Sequence, residues 1–269
     1  MEHSVLCGSK NFPAKDPFVE LVKGSLNTFL NAMTYPDKTC YPVASCNDQD
    51  FQNLMHVYMD AVFYPNMYEK KEIMMQEGWH YEIDEETGEL TYNGVVFNEM
   101  KGVYSSSEQQ LYRIIEKSLL PHTAYGFESG GDPEAIPNLT QEDFIAFHKR
   151  YYHPSNSYIY LYGDMDAEAE LRFIDEEYLQ NFDYLEIDSA LTDEPAFEKP
   201  VEVREYYSIA ENESEQDNTY LTYNTVVGTS ADKKLCTAFS ILEYALLSAP
   251  GAPLKKALID AGLGKDILS

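Results

Sequence analysis

The stretch MEHSVLCGSK (residues 1–10) places a glutamate and a histidine side by side at the start of an apolar run. Helix geometry brings residues four apart onto one face, so a metal ligand that pairs with His3 is expected four positions earlier, upstream of Met1. In the inverted zinc motif H-x-x-E-H, the glutamate beside the second histidine acts as the base. Glu2 and His3 fit the last two positions of that motif, and the sequence therefore predicts a metal centre to which this chain contributes part.

Composition limits the classes of partner. The chain carries 46 acidic and 19 basic residues, for a formal net charge of −27. Such a surface repels the phosphates of nucleic acids and of anionic lipids, and it favours cationic partners such as basic peptides. No apolar run approaches the length of a membrane helix, and the first residues lack the pattern of a signal peptide. We expect no nucleic-acid or membrane partner, while a solvated acidic surface without a selected partner is the alternative.

The four cysteines show no CxxC pair and no zinc-ribbon spacing. Scattered cysteines in a chain of this size are typical of free thiols in a reducing compartment. We expect all four to be structural, although a disulfide between Cys40 and Cys46 is an alternative.

Periodicity predicts alternating helices and strands in the first 190 residues. The stretch 39–45 is expected as an edge strand because Pro42 cannot donate a ladder hydrogen bond. Asp16 and Pro17 suit the cap and first turn of one helix, and Thr140 and Asp143 predict the cap of another that Pro154 ends. Further helices are predicted over 16–33, 48–65, 94–104 and 231–248 and after residue 253; further strands are predicted over 157–165, 201–209 and 219–227.

A linker and an internal repeat divide the chain. Residues 191–200 (LTDEPAFEKP) are charged and proline-rich, and a new pattern of strands and helices starts at 201. MEHSVLC at the start also resembles LEYALLS (242–248), and each is followed by a proline-containing loop and an amphipathic helix. We therefore expect one domain over 1–190, a linker over 191–200, and the beginning of a related domain over 201–269.

Several motifs in matching order resemble one family. EHSVLCGS (2–9), FNEMKGVYSS (97–106) and NLTQEDFIAFHKRYYHPSN (138–156) are similar to the insulinase/pitrilysin family of inverted-motif zinc peptidases, in its presequence protease branch. LLSAPGAPLKKALIDAGLGKDI (246–267) resembles the opening of that branch's second domain. The resemblance implies an α+β fold. It would comprise an insulinase-like peptidase domain, with a mixed or antiparallel sheet and helices on one face, followed by the start of a second homologous domain.

The resemblance also implies roles for individual residues. Glu2 would be the general base, and His3 and Glu99 would be ligands of a Zn²⁺ ion whose first histidine ligand is absent here. An edge strand would receive the peptide substrate by strand addition. The residues expected to contact it are Asn31, Ala32, Thr39, Cys40 and Tyr41. In the second domain the motif positions are Ser240, Glu243 and Tyr244, which cannot bind zinc in the same way.

The function expected from these motifs is hydrolysis of short or unfolded, presequence-like peptides by metal-activated water. The chain would be a piece truncated at both ends and inactive alone, completed by the remaining domains of the same polypeptide. Its compartment would be the bacterial cytoplasm, in preference to an organelle matrix. One alternative is a non-catalytic homologue that binds peptides or a partner subunit. Another is an acidic, metal-independent binding domain, in which Glu99 could be replaced without consequence.

Overall fold

The fold is α+β, rich in helices with small antiparallel sheets, as the family resemblance implies. A computed structural model describes residues 1–216, 218–264 and 267. The chain forms two compact units, Met1–Tyr220 and Leu221–Ser269. Part of the stretch expected to open a second domain, at 265, 266, 268 and 269, lies outside the described residues. The domain boundaries expected from the sequence stay a prediction.

The helices and strands are as follows. The first unit contains helices α1 (Glu2–Val5), α2 (Pro17–Gly24), α3 (Asp48–Phe63), α4 (Lys71–Glu77), α5 (Val95–Tyr104), α6 (Ser107–Leu119), α7 (Gln141–Tyr151) and α8 (Ala167–Glu177). Its strands are β1 (Asn27–Leu30), β2 (Met33–Thr34), β3 (Thr39–Cys40), β4 (Val43–Ser45), β5 (His80–Ile83) and β6 (Leu90–Asn93). The second unit contains α9 (Lys233–Glu243), a π-helix (Tyr244–Ser248) and α10 (Pro253–Asp260).

The predicted helix caps are confirmed. The Asp16 side chain accepts a hydrogen bond from the Val19 amide at the start of α2. Thr140 and Asp143 form a reciprocal capping box at the start of α7. Each cap satisfies amide groups that the first helical turn leaves without a partner.

The prediction of one helix over 16–33 is wrong beyond Gly24. The chain turns extended at Ser25, and β1 pairs antiparallel with β4. A tertiary contact overrides the helical periodicity here, since the Asp50 carboxylate accepts a hydrogen bond of 3.0 Å from the Leu26 amide. The expected edge strand over 39–45 forms as two short strands, β3 and β4, with Pro42 in the break between them.

The strands expected over 157–165, 201–209 and 219–227 are not formed. A strand needs a neighbour that completes its hydrogen-bond ladder, and no partner strand lies beside these segments among the described residues. The side chains of the first segment still alternate in exposure. Leu161 packs on the core, while Tyr158, Tyr160 and Tyr162 are almost fully exposed.

One prediction about membranes needs correction. Lys233–Asp260, 28 residues long, is long and apolar enough to cross a membrane by length and composition alone. Core helices of water-soluble proteins reach the same composition, so this property does not identify a span. The segment is also irregular, because a π-helix at Tyr244–Ser248 and the turn at Gly251 interrupt it. The absence of a membrane partner stays a prediction.

Two apolar clusters stabilise the first unit. The larger one joins α3 to α8 through Met55, Met59, Phe63, Ile174 and Tyr178. The smaller one joins α5 to the loop before α7 through Phe97, Met100 and Ile136. Their burial removes apolar surface from water, and the smaller cluster holds α5, the helix that carries Glu99. All four cysteines are free thiols, as the sequence predicts.

A buried histidine links α7 to α3. His148 Nε2–H donates to the Val62 carbonyl at 2.9 Å, and its Nδ1 accepts from the Tyr68 hydroxyl at 2.8 Å. Burial lowers the pKa of His148 to about 4, because the charged imidazolium is costly to desolvate.

The His148 pKa predicts a loss of stability in acid. The folded-state pKa is below the unfolded value, so the neutral imidazole stabilises the fold fully above pH 6.5. This contribution is lost as the pH falls from about 6.5 to about 4. Between pH 7.5 and 5 the loss amounts to about 2 kcal/mol. Urea unfolding at both pH values tests this, and His148→Gln should remove that part of the dependence. An equal pH dependence in wild type and variant would contradict the assignment, and His80→Gln, at a half-buried position, serves as the control.

Candidate metal centre

The short helix α1 is held in place by the loop that follows it. Asp60, fully buried on α3, accepts hydrogen bonds from the Asn11 amide at 2.7 Å and from the Asn11 side chain at 2.8 Å. Gly8 has φ +99, and a Cβ there would collide with the Ala14 carbonyl oxygen. These contacts hold the loop against α3 and so position Glu2 and His3 on α1.

His3 is surrounded by three carboxylates. Its Nδ1 lies 3.2 Å from Glu77 Oε2, and its Nε2 lies 3.8 Å from Glu99 Oε2 and 3.6 Å from Glu2 Oε2. The structure thus brings together the three residues that the sequence singled out for catalysis and metal binding. Since Nδ1–H donates to Glu77, the lone pair of neutral His3 lies on Nε2, which faces Glu99.

The contact with Glu77 dominates the electrostatics of His3. It raises the pKa of the imidazole, and burial opposes this only in part. The same hydrogen bond lowers the pKa of Glu77. Gln76 Nε2 also donates to Glu77 Oε1 at 2.8 Å. An ionised Glu77 is therefore held against Nδ1, which is the arrangement that orients a metal-binding histidine in many proteins.

The β5–β6 hairpin connects the helices that carry Glu77 and Glu99. The Phe97 amide donates to the Gly78 carbonyl at 3.3 Å. Gly94 has φ +152, and a Cβ there would collide with Gly78 and Trp79. Only glycine allows this close approach, which draws the end of α4 to the start of α5. The two acids that face His3 are thereby brought together although a hairpin separates them in sequence.

Sequence reasoning missed Glu77. It is the last residue of the short helix α4, and no helical or strand spacing relates it to His3. The only signal was that Glu77 is one of several acids before the hairpin turn, in the segment that also contains Glu99.

The donor set fits a zinc ion but does not complete its coordination. Two atoms bound to one tetrahedral zinc lie about 3.4 Å apart, and His3 Nε2 and Glu99 Oε2 lie 3.8 Å apart. Imidazole nitrogen and carboxylate oxygen are both common zinc donors. A catalytic site uses three protein ligands, however, and no group of three metal-binding side chains converges among the described residues.

The residues expected to contact substrate lie on one bent hairpin. Thr39 and Cys40 form β3, Tyr41 follows it, and Asn31 and Ala32 connect β1 to β2. The Tyr41 hydroxyl lies 2.9 Å from the Tyr152 hydroxyl. Burial raises the pKa of Tyr41, and the nearby charge of Glu2 adds to the effect. The hairpin therefore lies within electrostatic reach of Glu2, while its role in substrate binding stays a prediction.

The positions of the internal repeat that correspond to the motif lie in the second unit. Ser240 and Glu243 are on α9, and Tyr244 begins the π-helix. The Ser248 hydroxyl donates to Glu243 at 2.6 Å. Serine and tyrosine at these positions offer no imidazole to a metal.

Comparison with known proteins gives a consistent result. Residues 138–269 match the family described as "Peptidase M16 inactive domain". Protein HypA of Clostridium perfringens is 60% identical over 267 residues, which are 99% of this chain. Presequence protease 1, chloroplastic/mitochondrial, of Arabidopsis thaliana is 46% identical over 272 residues, which are 100% of this chain. The mitochondrial presequence protease of Mus musculus is 39% identical over 275 residues, which are 99% of this chain.

These relatives are much longer than the chain. It covers 27% of the Clostridium protein, 25% of the Arabidopsis protein and 26% of the mouse protein. About three quarters of each relative therefore has no counterpart here.

We predict that Asp60→Ala destabilises the first unit by roughly 2 to 4 kcal/mol. The change leaves two donors of Asn11 without their charged acceptor and releases the loop behind α1. Urea unfolding followed by circular dichroism measures the loss. Asp48→Ala, at an exposed position in the first turn of the same helix, is the control and should cost less than about 1 kcal/mol. Equal effects of the two substitutions would contradict the role of Asp60.

Proposed function

We infer that this chain is part of a zinc metalloendopeptidase. The chain belongs to the insulinase family of peptidases and to its presequence protease branch. The whole protein would hydrolyse short or unfolded peptides. One observation supports this more than any other: His3 Nε2 faces Glu99 Oε2 at 3.8 Å, with the Glu2 carboxylate at 3.6 Å from the same nitrogen. This supports a site in which two zinc donors and a base would meet.

The residues of this chain would divide the chemistry among them. His3 and Glu99 would hold Zn²⁺, which supplies a Lewis acid and a water of lowered pKa when bound. Glu2 would take the proton of the attacking water and pass it to the leaving amine, since its carboxylate borders the ligands without being one. Glu77 would fix the orientation and tautomer of His3 through Nδ1.

Peptide binding would use the hairpin that contains Tyr41. Its short strands β2 and β3 pair only with each other among the described residues, so both have open edges. An extended peptide can add to such an edge through main-chain hydrogen bonds. The net charge of −27 favours basic peptides.

The third zinc ligand and the rest of the substrate chamber would come from parts of the whole protein that this chain does not include. With two ligands among its described residues, the 269-residue chain alone would bind zinc weakly and cleave poorly. We propose the bacterial cytoplasm as its compartment, in keeping with the relative from Clostridium perfringens. An organelle matrix is the alternative, since the plant and mouse relatives are named as organellar.

A second candidate function is a non-catalytic homologue that acts as a peptide-binding or structural subunit. The observation in its favour is the match of residues 138–269 to an "inactive domain", a range that does not include Glu2, His3 or Glu99. The residue four positions before His3 in the whole protein distinguishes the two, because a histidine there completes the zinc motif. Any other residue would leave the enzyme hypothesis without its third ligand.

We predict that Glu2→Gln in the whole protein abolishes cleavage of a fluorogenic peptide and leaves zinc bound. The amide keeps the shape of the side chain but cannot accept the proton. Cleavage assays and metal analysis by mass spectrometry on the same preparation measure both effects. Glu20→Gln, exposed on α2, should leave both unchanged. A Glu2→Gln variant that still cleaves would show that another group is the base.

We predict that Glu77→Gln weakens zinc binding about 10- to 100-fold, because an orienting carboxylate is lost from the ligand His3. Competition with a fluorescent zinc chelator measures the affinity without relying on activity. Glu72→Gln, exposed on the same helix, is the matched control. Unchanged zinc affinity in Glu77→Gln would mean that the contact with His3 does not support the metal.

A further inference from the structure

The β5–β6 hairpin exposes an apolar face. Tyr81 lies directly opposite Tyr92, and Ile83 lies opposite Leu90. Alternation along each strand places all four side chains on the same face. Their exposed fractions are 56%, 45%, 65% and 63%, respectively. Apolar patches on a protruding element are typical of binding surfaces, and this one has no covering element among the described residues.

This apolar face is held rigidly at its base. The ring centroid of Trp79 lies 5.4 Å from that of Tyr81 and 5.8 Å from that of Tyr92. The ring centroid of Tyr92 lies 5.8 Å from that of the buried Phe97. Trp79 Nε1–H also donates to the Leu139 carbonyl at 3.0 Å. The face is therefore an exposed extension of the smaller core cluster, and a ligand would not need to order it first.

The tip of the same hairpin is strongly acidic. Asp84, Glu85, Glu86 and Glu89 lie in the turn and are exposed, and residues 80–94 contain no lysine or arginine. Hydrogen bonds from the backbone and side chain of Thr87 lower the pKa of Asp84. Negative charge beside an apolar face disfavours an acidic partner and leaves a cationic partner as the complementary one.

We propose that the hairpin is a docking surface for a cationic amphipathic segment of the peptide substrate. Its apolar side chains would cover Tyr81, Ile83, Leu90 and Tyr92, while its lysine or arginine side chains would face the acidic tip. The proposal rests on the proposed peptidase function. It adds a subsite apart from the edge strands, on the hairpin that joins the helices of Glu77 and Glu99. A docked segment would be held by a rigid element that is continuous with the site.

The test uses the whole protein with Glu2→Gln, so that a bound peptide stays intact. The probe is a fluorescein-labelled peptide of about twenty residues, with lysine on one helical face and leucine on the other. Its matched control replaces every lysine with glutamate. Fluorescence anisotropy should detect binding of the cationic peptide and much weaker binding of the acidic one.

Two double substitutions separate the apolar and the charged contributions. Ile83→Ser with Leu90→Ser should raise the Kd about tenfold or more by removing buried apolar area. Glu85→Gln with Glu86→Gln should raise the Kd and reduce its dependence on salt. The controls are Val22→Ser with Leu26→Ser and Glu211→Gln with Glu215→Gln, all at exposed positions, and their Kd should stay within about twofold of wild type.

Two outcomes would overturn the proposal. One is an unchanged Kd in both hairpin variants. The other is a lower melting temperature of the whole protein in the Ile83 and Leu90 variant without any change in Kd, which would make the face a contact with another part of the polypeptide. A failure of the proposed function looks different. Protein without the Glu2 substitution would then bind the cationic peptide through the hairpin but cleave no peptide at all.

Discussion

The hydrogen bond between His3 Nδ1 and Glu77 determines what the candidate site can do. It joins α1 to the end of α4 and fixes which ring nitrogen faces Glu99. With Nδ1 occupied, Nε2 is the nitrogen left to bind a metal, and Glu2 and Glu99 both lie on that side. The loop after α1 and the close approach of α4 to α5 support this contact. They hold the backbone on both sides of it, since His3 lies on α1 and Glu77 ends α4.

Two backbone constraints support that contact from opposite sides. Asp60 on α3, far in sequence from His3 and Glu99, holds the loop after α1 through Asn11. Gly78 and Gly94 approach so closely that only glycine fits at position 94. The hairpin between them thus begins and ends where the two helix ends come close together. No element among the described residues covers its exposed apolar face and acidic tip, which together form the proposed docking surface.

The sequence predicted the parts of the structure that depend on local rules and on motifs. Caps such as Thr140 with Asp143 follow from local hydrogen bonding, and the convergence of Glu2, His3 and Glu99 follows from the family motifs. Long-range contacts were not predictable. Asp50 ends the helical pattern after Gly24 by binding the Leu26 amide, and nothing near residue 26 indicates this. Glu77 was missed for the same reason, since its relation to His3 exists only in the folded chain.

Strand predictions failed where a strand depends on a neighbour. Tyr158, Tyr160 and Tyr162 keep the alternation of a strand, but no partner strand lies beside them among the described residues.

The proposed function requires that His3 and Glu99 bind one zinc ion. Anomalous diffraction at the zinc absorption edge from crystals of the whole protein measures this directly. We expect a single strong peak in contact with His3 Nε2 and the Glu99 carboxylate. A peak elsewhere, or one that persists at this site after His3→Ala, would contradict it.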